Sequence, residues 1–460
     1  MLLLATFLLL FLSSCSNAAI SAPPVLIQSS YSNGKYEAHP HSGVELKSGG
    51  FFMVGDSMTT GDGDTFRQQF AVKTTSDGTE DWQIALGDIG YNYGKFGLEL
   101  SDKTLLVFGS SSVADGSGSY SELRSIHRID PEDGTVISHT VLPSNSGTGN
   151  DGFMGADLMT SDPDGLSVWA TGYVDGEGQP EEEEAMFLIG GGSAFAMQLE
   201  FPSLSGEDKG GDAKVLWENV FSQDDDGFKM NQGMRIVETS EGDAILISTA
   251  TPDEGLYQWS SLALTPKGEI KWRKIIPASD ANAPASETNG TMSHPYALTR
   301  DGEGGAVIAG HAYPASESIL VPFGLPVGRM VRIDAKGSVL WDVRFKPENS
   351  PDDHNVECYG VDSTLDGGYI ATCGFGCMPE TCKRFQPAEN KIWQVLAHRV
   401  DKNGEQLWDE LYTDTSKGNN AGEYIVSRRE GGYAIYVDAS WGDADTGGNF
   451  GLMVLDSDIE

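Results

Sequence analysis

Apolar and polar residues alternate along this chain in short runs, and the runs recur in the same order seven times. Each copy reads as a hairpin around a Gly or Asp turn, a third strand, and a polar turn with Gly leading into a strand that usually carries Trp. The plainest copies are "YGVDSTLDGGYIATCG…WQVLAHRVDKNGEQLWDELY" and "YALTRDGEGGAVIAGH…GRMVRIDAKGSVLWDVRF". They align Gly368 with Gly305, Gly404 with Gly337, and Trp408 with Trp341. Alternation with a period of two over strand-length runs, broken by turn residues, predicts four antiparallel strands per copy.

The first turn of each copy falls at Ser48 to Gly50, Ser101 to Lys103, Asp162 to Gly165, Ser240 to Asp243, Asp301 to Gly305, Asp366 to Gly368 and Glu430 to Gly432. Tight hairpins need positive φ or a side chain that bonds its own backbone, which is why Gly and Asp gather there. The later turn leaves a Gly followed four residues on by Trp: Gly78 and Trp82, Gly268 and Trp272, Gly337 and Trp341, Gly404 and Trp408. Trp217 continues the series after an insertion, and the second copy has Ser138 in the Trp place. These Trp are expected to pack between neighbouring sheets, since large aromatics supply much of the buried area.

A four-stranded sheet has two faces to cover, so copies must stack, and enough of them close around an axis. The seventh copy stops after its third strand, near Phe450 to Leu455, while Pro24 to Tyr31 forms an orphan strand before the first hairpin. We therefore expect an all-β, seven-bladed propeller over residues 24–460 as one domain, closed by the amino-terminal strand completing the last blade. An open stack would leave two unpaired edges.

Residues 1–12 are apolar, too short to span a bilayer, and followed by small residues, so 1–19 reads as a secretory signal. The alternative is a lipid anchor at the cell surface through Cys15, because Leu12-Ser13-Ser14-Cys15 is similar to a lipobox. Four cysteines remain, all in the sixth copy: Cys358, Cys373, Cys377 and Cys382. An even count in one blade of an exported protein reads as two disulfides, with 358–373 and 377–382 preferred among the three pairings. A zinc site using these thiolates with His354 is the lesser reading. Asn289-Gly290-Thr291 is a glycosylation sequon if the host is a eukaryote. With 68 acidic and 30 basic residues, a formal charge of −38 disfavours nucleic acid and anionic membrane surfaces. No later segment is long and apolar enough to cross a membrane, and a monomer is expected.

The pattern of Asp366-Gly367-Gly368-Tyr369-Ile370, Gly374, Asp401, Gly404 and Trp408, repeated as Gly304-Gly305, Gly310, Asp334, Gly337 and Trp341, resembles the repeats of secreted seven-bladed β-propeller proteins. That resemblance implies binding or surface roles outside the cell and no shared chemistry. Quinone-dependent dehydrogenase propellers repeat a similar Gly-x-x-x-Trp signature, but the vicinal cysteine pair of those enzymes has no counterpart here.

Aligning the copies by their first strand exposes His39, Asn92, Asn150, Asn231, His294, Asn355 and Asn420, with His41, Asp151 and His354 as neighbours. We expect these positions to ring one mouth of the central channel as a polar ligand site, against the plainer reading that they bond nearby backbone. The imidazoles of His39, His41, His294 and His354 offer a metal reading. Calcium is the possible cofactor, through Asp62, Asp64, Asp224, Asp225 and Asp226 in Gly-broken loops. The chain carries no nucleophile elbow, zinc-protease helix motif, phosphate loop or dinucleotide fingerprint. The expected function is thus a secreted or cell-surface binding or scaffolding module with a glycan or protein ligand. The alternative is a secreted, divalent-metal-dependent, carbohydrate-active hydrolase or lyase.

Overall fold

The computed structural model describes residues 20–34, 36–61, 64–87, 90–114, 120–144, 150–176, 192–204, 211–221, 228–252, 258–277, 292–314, 324–377, 393–412, 419–441 and 448–458. All regular structure among them is β-strand, numbered β1 to β28 in chain order. The strands form seven four-stranded antiparallel sheets, and consecutive sheets pack face to face around a ring that brings the first blade against the last. The inner strands are β2 (Ala38–Glu45), β6 (Tyr93–Glu99), β10 (Gly152–Leu158), β14 (Phe228–Glu238), β18 (Met292–Arg300), β22 (Asn355–Ser363) and β26 (Asn420–Ser427).

The seventh sheet has the order β1-β28-β27-β26, with β1 (Val25–Tyr31), β27 (Tyr433–Ala439) and β28 (Asn449–Leu455). Ser29 pairs with Leu452 and Tyr31 with Phe450, so the amino-terminal strand completes the last blade as its sequence position predicts. Tyr31 is buried and donates its hydroxyl to Gly78 O at 2.6 Å, tying that strand to the first blade.

The Gly-x-x-x-Trp signature is a joint between blades. Trp82 donates Nε1 to Pro131 O at 3.1 Å, and a Cβ on Gly134 of the next blade would stand 3.1 Å from its ring. Trp217, Trp272 and Trp341 lie likewise against Gly268, Gly337 and Gly404. Each of these Gly has φ between +74° and +83°, so positive φ and the close indole both exclude a side chain. At the seam, Gly78 meets Ile27 and Ser29 of β1 in place of an indole. Trp408 faces the last blade, whose outer strand comes from the other end of the chain, and donates Nε1 to Asp458 Oδ2 at 2.9 Å instead.

Apolar residues fill the spaces between sheets. Phe153 packs edge-on against Phe108 at 5.4 Å and Phe195 at 5.6 Å, joining the second blade to the third. A backbone bond to the preceding blade recurs at the start of the inner strands: Ala38 N to Gly448 O, Asn92 N to Arg67 O, Asp151 N to Glu122 O, Val356 N to Pro326 O, and Asn420 N to Trp393 O. In the sixth blade Cys358 and Cys373 are disulfide-bonded across β22 and its neighbour. Cys377 is also disulfide-bonded, and Cys382, its expected partner, lies outside the described residues. So do residues 1–19, including Cys15, and the Asn289 sequon.

Candidate functional site

Every inner strand drops out of register with its neighbour near its middle, and β14 does so a second time, at Asn231. The mid-strand bulged residues are His41, Lys95, Met154, Met234, Tyr296, Tyr359 and Glu423. A bulge bends its strand and re-aims the extra side chain. Here all seven, joined by Arg235, line one cavity on the axis of about 10 Å³, room for about one water. Seven different blades thus build a plug of mixed chemistry from a single local distortion.

The plug is anchored on buried Asp56. His41 Nε2 lies 2.5 Å from Asp56 Oδ1, Arg67 Nη1 ion-pairs with Oδ2, and Lys95 Nζ stands 4.0 Å from Oδ1. Burial alone would favour the protonated acid, but His41, Lys95 and Arg67 outweigh it and hold Asp56 far below the usual carboxyl range. Burial, helped by Lys95, pushes His41 down to about 4, so at pH 7 the imidazole is neutral and donates Nε2–H to Asp56. Burial lowers Lys95 as well. Burial also raises Glu423, reinforced by Asp438, and lifts Glu122 to about 7. Tyr359 donates its hydroxyl to Glu357 Oε2 at 2.7 Å.

The residues nominated from sequence gather at the upper mouth, where the inner strands begin, but at three levels. Counted back from each bulge, His39 and His294 stand two residues before it, Asn92, Asn231 and Asn420 three, and Asn150 and Asn355 four. They are therefore not equivalent positions, and only His41 belongs to the axial ring. Several tie the hairpin shut: Asn92 Oδ1 accepts from Ser112 N at 3.1 Å and Asn420 Oδ1 from Ser440 N at 2.9 Å. Asp151 Oδ1 accepts from Asp175 N at 2.9 Å in the same way, and Asn150 Nδ2 donates to Gly176 O at 3.1 Å. Asn231, His294 and Asn355 are buried, and His294 meets His311 edge-on at 5.5 Å. His39 lies between Glu37 at 3.0 Å and Asp438 at 3.1 Å.

Four of the calcium candidates, Asp62, Asp224, Asp225 and Asp226, lie outside the described residues, and Asp64 enters only through its backbone pairing with Gly61. Among the described residues one group has metal-ligand spacing, Asp353, His354 and Cys377. The disulfide on Cys377 removes the thiolate that zinc would need, and His354 Nδ1 already lies 3.0 Å from Asp353. The four histidines of the other metal reading are separated by their levels and partners, with His41 on Asp56 and His39 on Glu37 and Asp438.

The lower mouth, where the inner strands end, is a wider funnel of about 240 Å³ lined by all seven of them. Val237, Leu298, Val361 and Val426 form apolar wall, and Asp157, Arg300 and Asp362 sit at the rim. Arg300 pairs with Asp157 at 2.5 Å. Asp362 accepts from Thr299 Oγ1 at 3.0 Å, Ser363 N at 2.8 Å and Ser427 N at 2.7 Å. Sequence alignment by residue type gave no signal for this end, because its polar residues come from different registers of different blades.

Fold and channel define a seven-bladed β-propeller with a plugged axis. No protein-family profile matches the chain, and no curated protein matches it. Solved structures similar to it include a protein of unknown function from Dyadobacter fermentans, at 12% identity over 84% of this chain and 97% of that one, TM-score 0.43. The β-propeller domain of Cps50 (Swd1) from Myceliophteria thermophila is 8% identical over 94% and 99%, TM-score 0.43. A sialidase from Trypanosoma rangeli is 8% identical over 84% of this chain and 57% of its own, TM-score 0.41. The likeness is one of fold, and no chemistry carries over from it.

Proposed function

We propose that the protein is a secreted or cell-surface binding propeller whose ligand, a glycan or another exported protein, is engaged at the upper mouth of the channel. The observation that carries this reading is the plug. Seven chemically different side chains converge on the axis and leave space for about one water, so a ligand is read at the mouth and not drawn into a reaction chamber. The Cys358–Cys373 disulfide agrees with an oxidising compartment. Calcium bound by the acidic loops remains part of the proposal.

A second reading is favoured by Glu423 and Glu122, whose carboxyls burial holds above the ordinary range. A carboxyl kept protonated near neutral pH is what a general acid requires. That reading makes the protein a carbohydrate-active hydrolase or lyase assisted by a divalent ion.

Metal analysis of the purified protein, followed by glycan-array and protein-capture binding with and without chelator, tests both. Saturable binding with no product released from polysaccharides is the expected result. Chelator-sensitive release of reducing ends, abolished by Glu423→Gln, would replace the binding reading with the hydrolytic one.

A further inference from the structure

Among the described residues seven arginines are buried: Arg67, Arg124, Arg128, Arg235, Arg329, Arg332 and Arg399. Six are ion-paired, with Asp56, Glu218, Asp102, Asp342, Asp301 and Asp366 respectively. Arg235 is the exception, 9% exposed and with no carboxylate partner among the described residues. It follows the bulged Met234 of β14 and reaches across the axis, its guanidinium carbon 5.2 Å from the Phe96 ring of the second blade and 5.9 Å from the Tyr424 ring of the seventh. Gly155 makes this crossing possible, because a Cβ there would lie 3.1 Å from Arg235 Cδ.

Its hydrogen bonds are lopsided. Nη1 donates to Met154 O at 2.5 Å and Met234 O at 2.8 Å, whereas Nε has no partner. The rings stabilise the charge through their faces but leave the in-plane donors unused. The free edge, Nε with Nη2, is the one that grips a carboxylate two-handed elsewhere in this molecule: Arg329 places Nε 3.0 Å from Asp342 Oδ1 and Nη2 2.6 Å from Oδ2. Arg235 lines both the axial cavity and the lower funnel, so its charge sits at the funnel floor. The rim carboxylates do not neutralise it, since Asp157 is held by Arg300 and Asp362 by three local donors.

We propose that the lower funnel binds a small organic acid with a short branched apolar body, its carboxylate on Arg235 and its body against Val237, Leu298, Val361 and Val426. The funnel, at about 240 Å³, is roomy enough to seat a five- or six-carbon acid. Nε is enclosed, so the oxygen that reaches it comes with a small swing of the side chain. The formal charge of −38 repels anions at a distance, but physiological salt screens that field over ~8 Å while the buried contact keeps its strength. This site lies at the opposite end of the channel from the mouth assigned above and does not depend on that assignment.

Calorimetric titration of the full mature protein with 3-methylbutanoate, L-leucine, 3-methylbutanol and 3-methylbutylamine tests the site. Both carboxylates are expected to bind and the alcohol and amine are not. Tighter binding of L-leucine identifies an amino acid as the source of the carboxylate, and tighter binding of 3-methylbutanoate a simple short-chain acid. Arg235→Met should weaken either acid by at least about tenfold, the worth of a charged two-handed contact, and Arg235→Lys should fall between. Arg235→Met removes a buried charge lacking a carboxylate, so its melting temperature should hold or rise. Should it fail to fold, Arg235→Lys and the acid-against-alcohol comparison still decide. The proposal is overturned by no binding of either acid at ~10 mM, by equal binding of the alcohol, or by unchanged affinity in the variants.

Discussion

His39 of the first blade holds its Nδ1 3.1 Å from Asp438 Oδ2 of the seventh, while its Nε2 lies 3.0 Å from Glu37. Burial opposes a charge there, yet the two carboxylates outweigh it and the imidazolium is held well above the ordinary histidine range. Glu423 and His41 are the other titratable groups whose fields reach it. A base whose folded pKa is raised stabilises fully below its unfolded value of ~6.5 and loses that contribution as pH climbs through the folded one. The seam between first and last blades should therefore loosen with alkali. In urea unfolding, the stability difference between wild type and His39→Gln is expected to be largest near pH 6 and to shrink steadily toward pH 9. A difference that stays constant would mean the histidine acts by packing alone.

The opposite sign holds at His127, which is buried in the second blade, stacks on His139 at 3.9 Å and places Nδ1 3.1 Å from Gln69 Oε1. Burial, helped by His139, pushes it down to about 3. Here the unfolded chain binds the proton first, so stability present above pH ~6.5 drains away as pH falls toward the folded value. At pH 4 the loss assigned to this one group is about 3 kcal/mol. His127→Gln should cost stability at pH 7 but flatten the acid limb, so the two unfolding curves converge on acidification. Parallel curves from pH 7 to pH 4 would place the acid sensitivity elsewhere.

The blades, their turns and the closing strand were legible because each depends on local alternation and turn chemistry, and Gly134 or Gly404 mark a joint that any copy repeats. The axial ring was not. A bulge shifts the alternation by one residue, so Lys95 and Glu423 fall out of the pattern that identifies their strands. Matching residue type in place of register grouped His39 with Asn92 and Asn150, which stand at different levels. Arg235, Phe96 and Tyr424 meet only because three blades far apart in sequence converge on the axis.

Asp56 carries more of the plug than any other carboxylate, since His41, Arg67 and Lys95 all turn toward it. Replacing it by Asn removes the negative charge that lies against two buried cations. Breaking a buried pair in this way costs roughly 3–5 kcal/mol, because the stranded charges stay desolvated. We expect Asp56→Asn to lower the unfolding free energy by that amount, and Asp56→Asn combined with Lys95→Met to recover part of it. Additive losses in the double variant would show that the two residues are energetically independent.

The bulges themselves need clamping from the neighbouring strand. In blades one, two, three and five the residue opposite is Gly55, Gly109, Gly172 or Gly310, and a Cβ there would stand within 2.0 Å of a carbonyl oxygen on the bulged strand. In blade six that place belongs to Cys373, bonded to Cys358 immediately before the bulged Tyr359. Gly and the disulfide thus answer the same demand, one by yielding space and the other by a covalent tie. Gly310→Ala should force the backbone apart and cost roughly 3 kcal/mol, read as a fall in melting temperature. Replacing both Cys358 and Cys373 by Ser should cost ~3 kcal/mol, the value expected for a cross-link with a sequence separation of 15. It should also raise hydrogen exchange at the Tyr359 and Gly360 amides before the rest of the ring. If exchange rises evenly over all seven blades, the cross-link stabilises the chain globally and has no particular hold on the bulge.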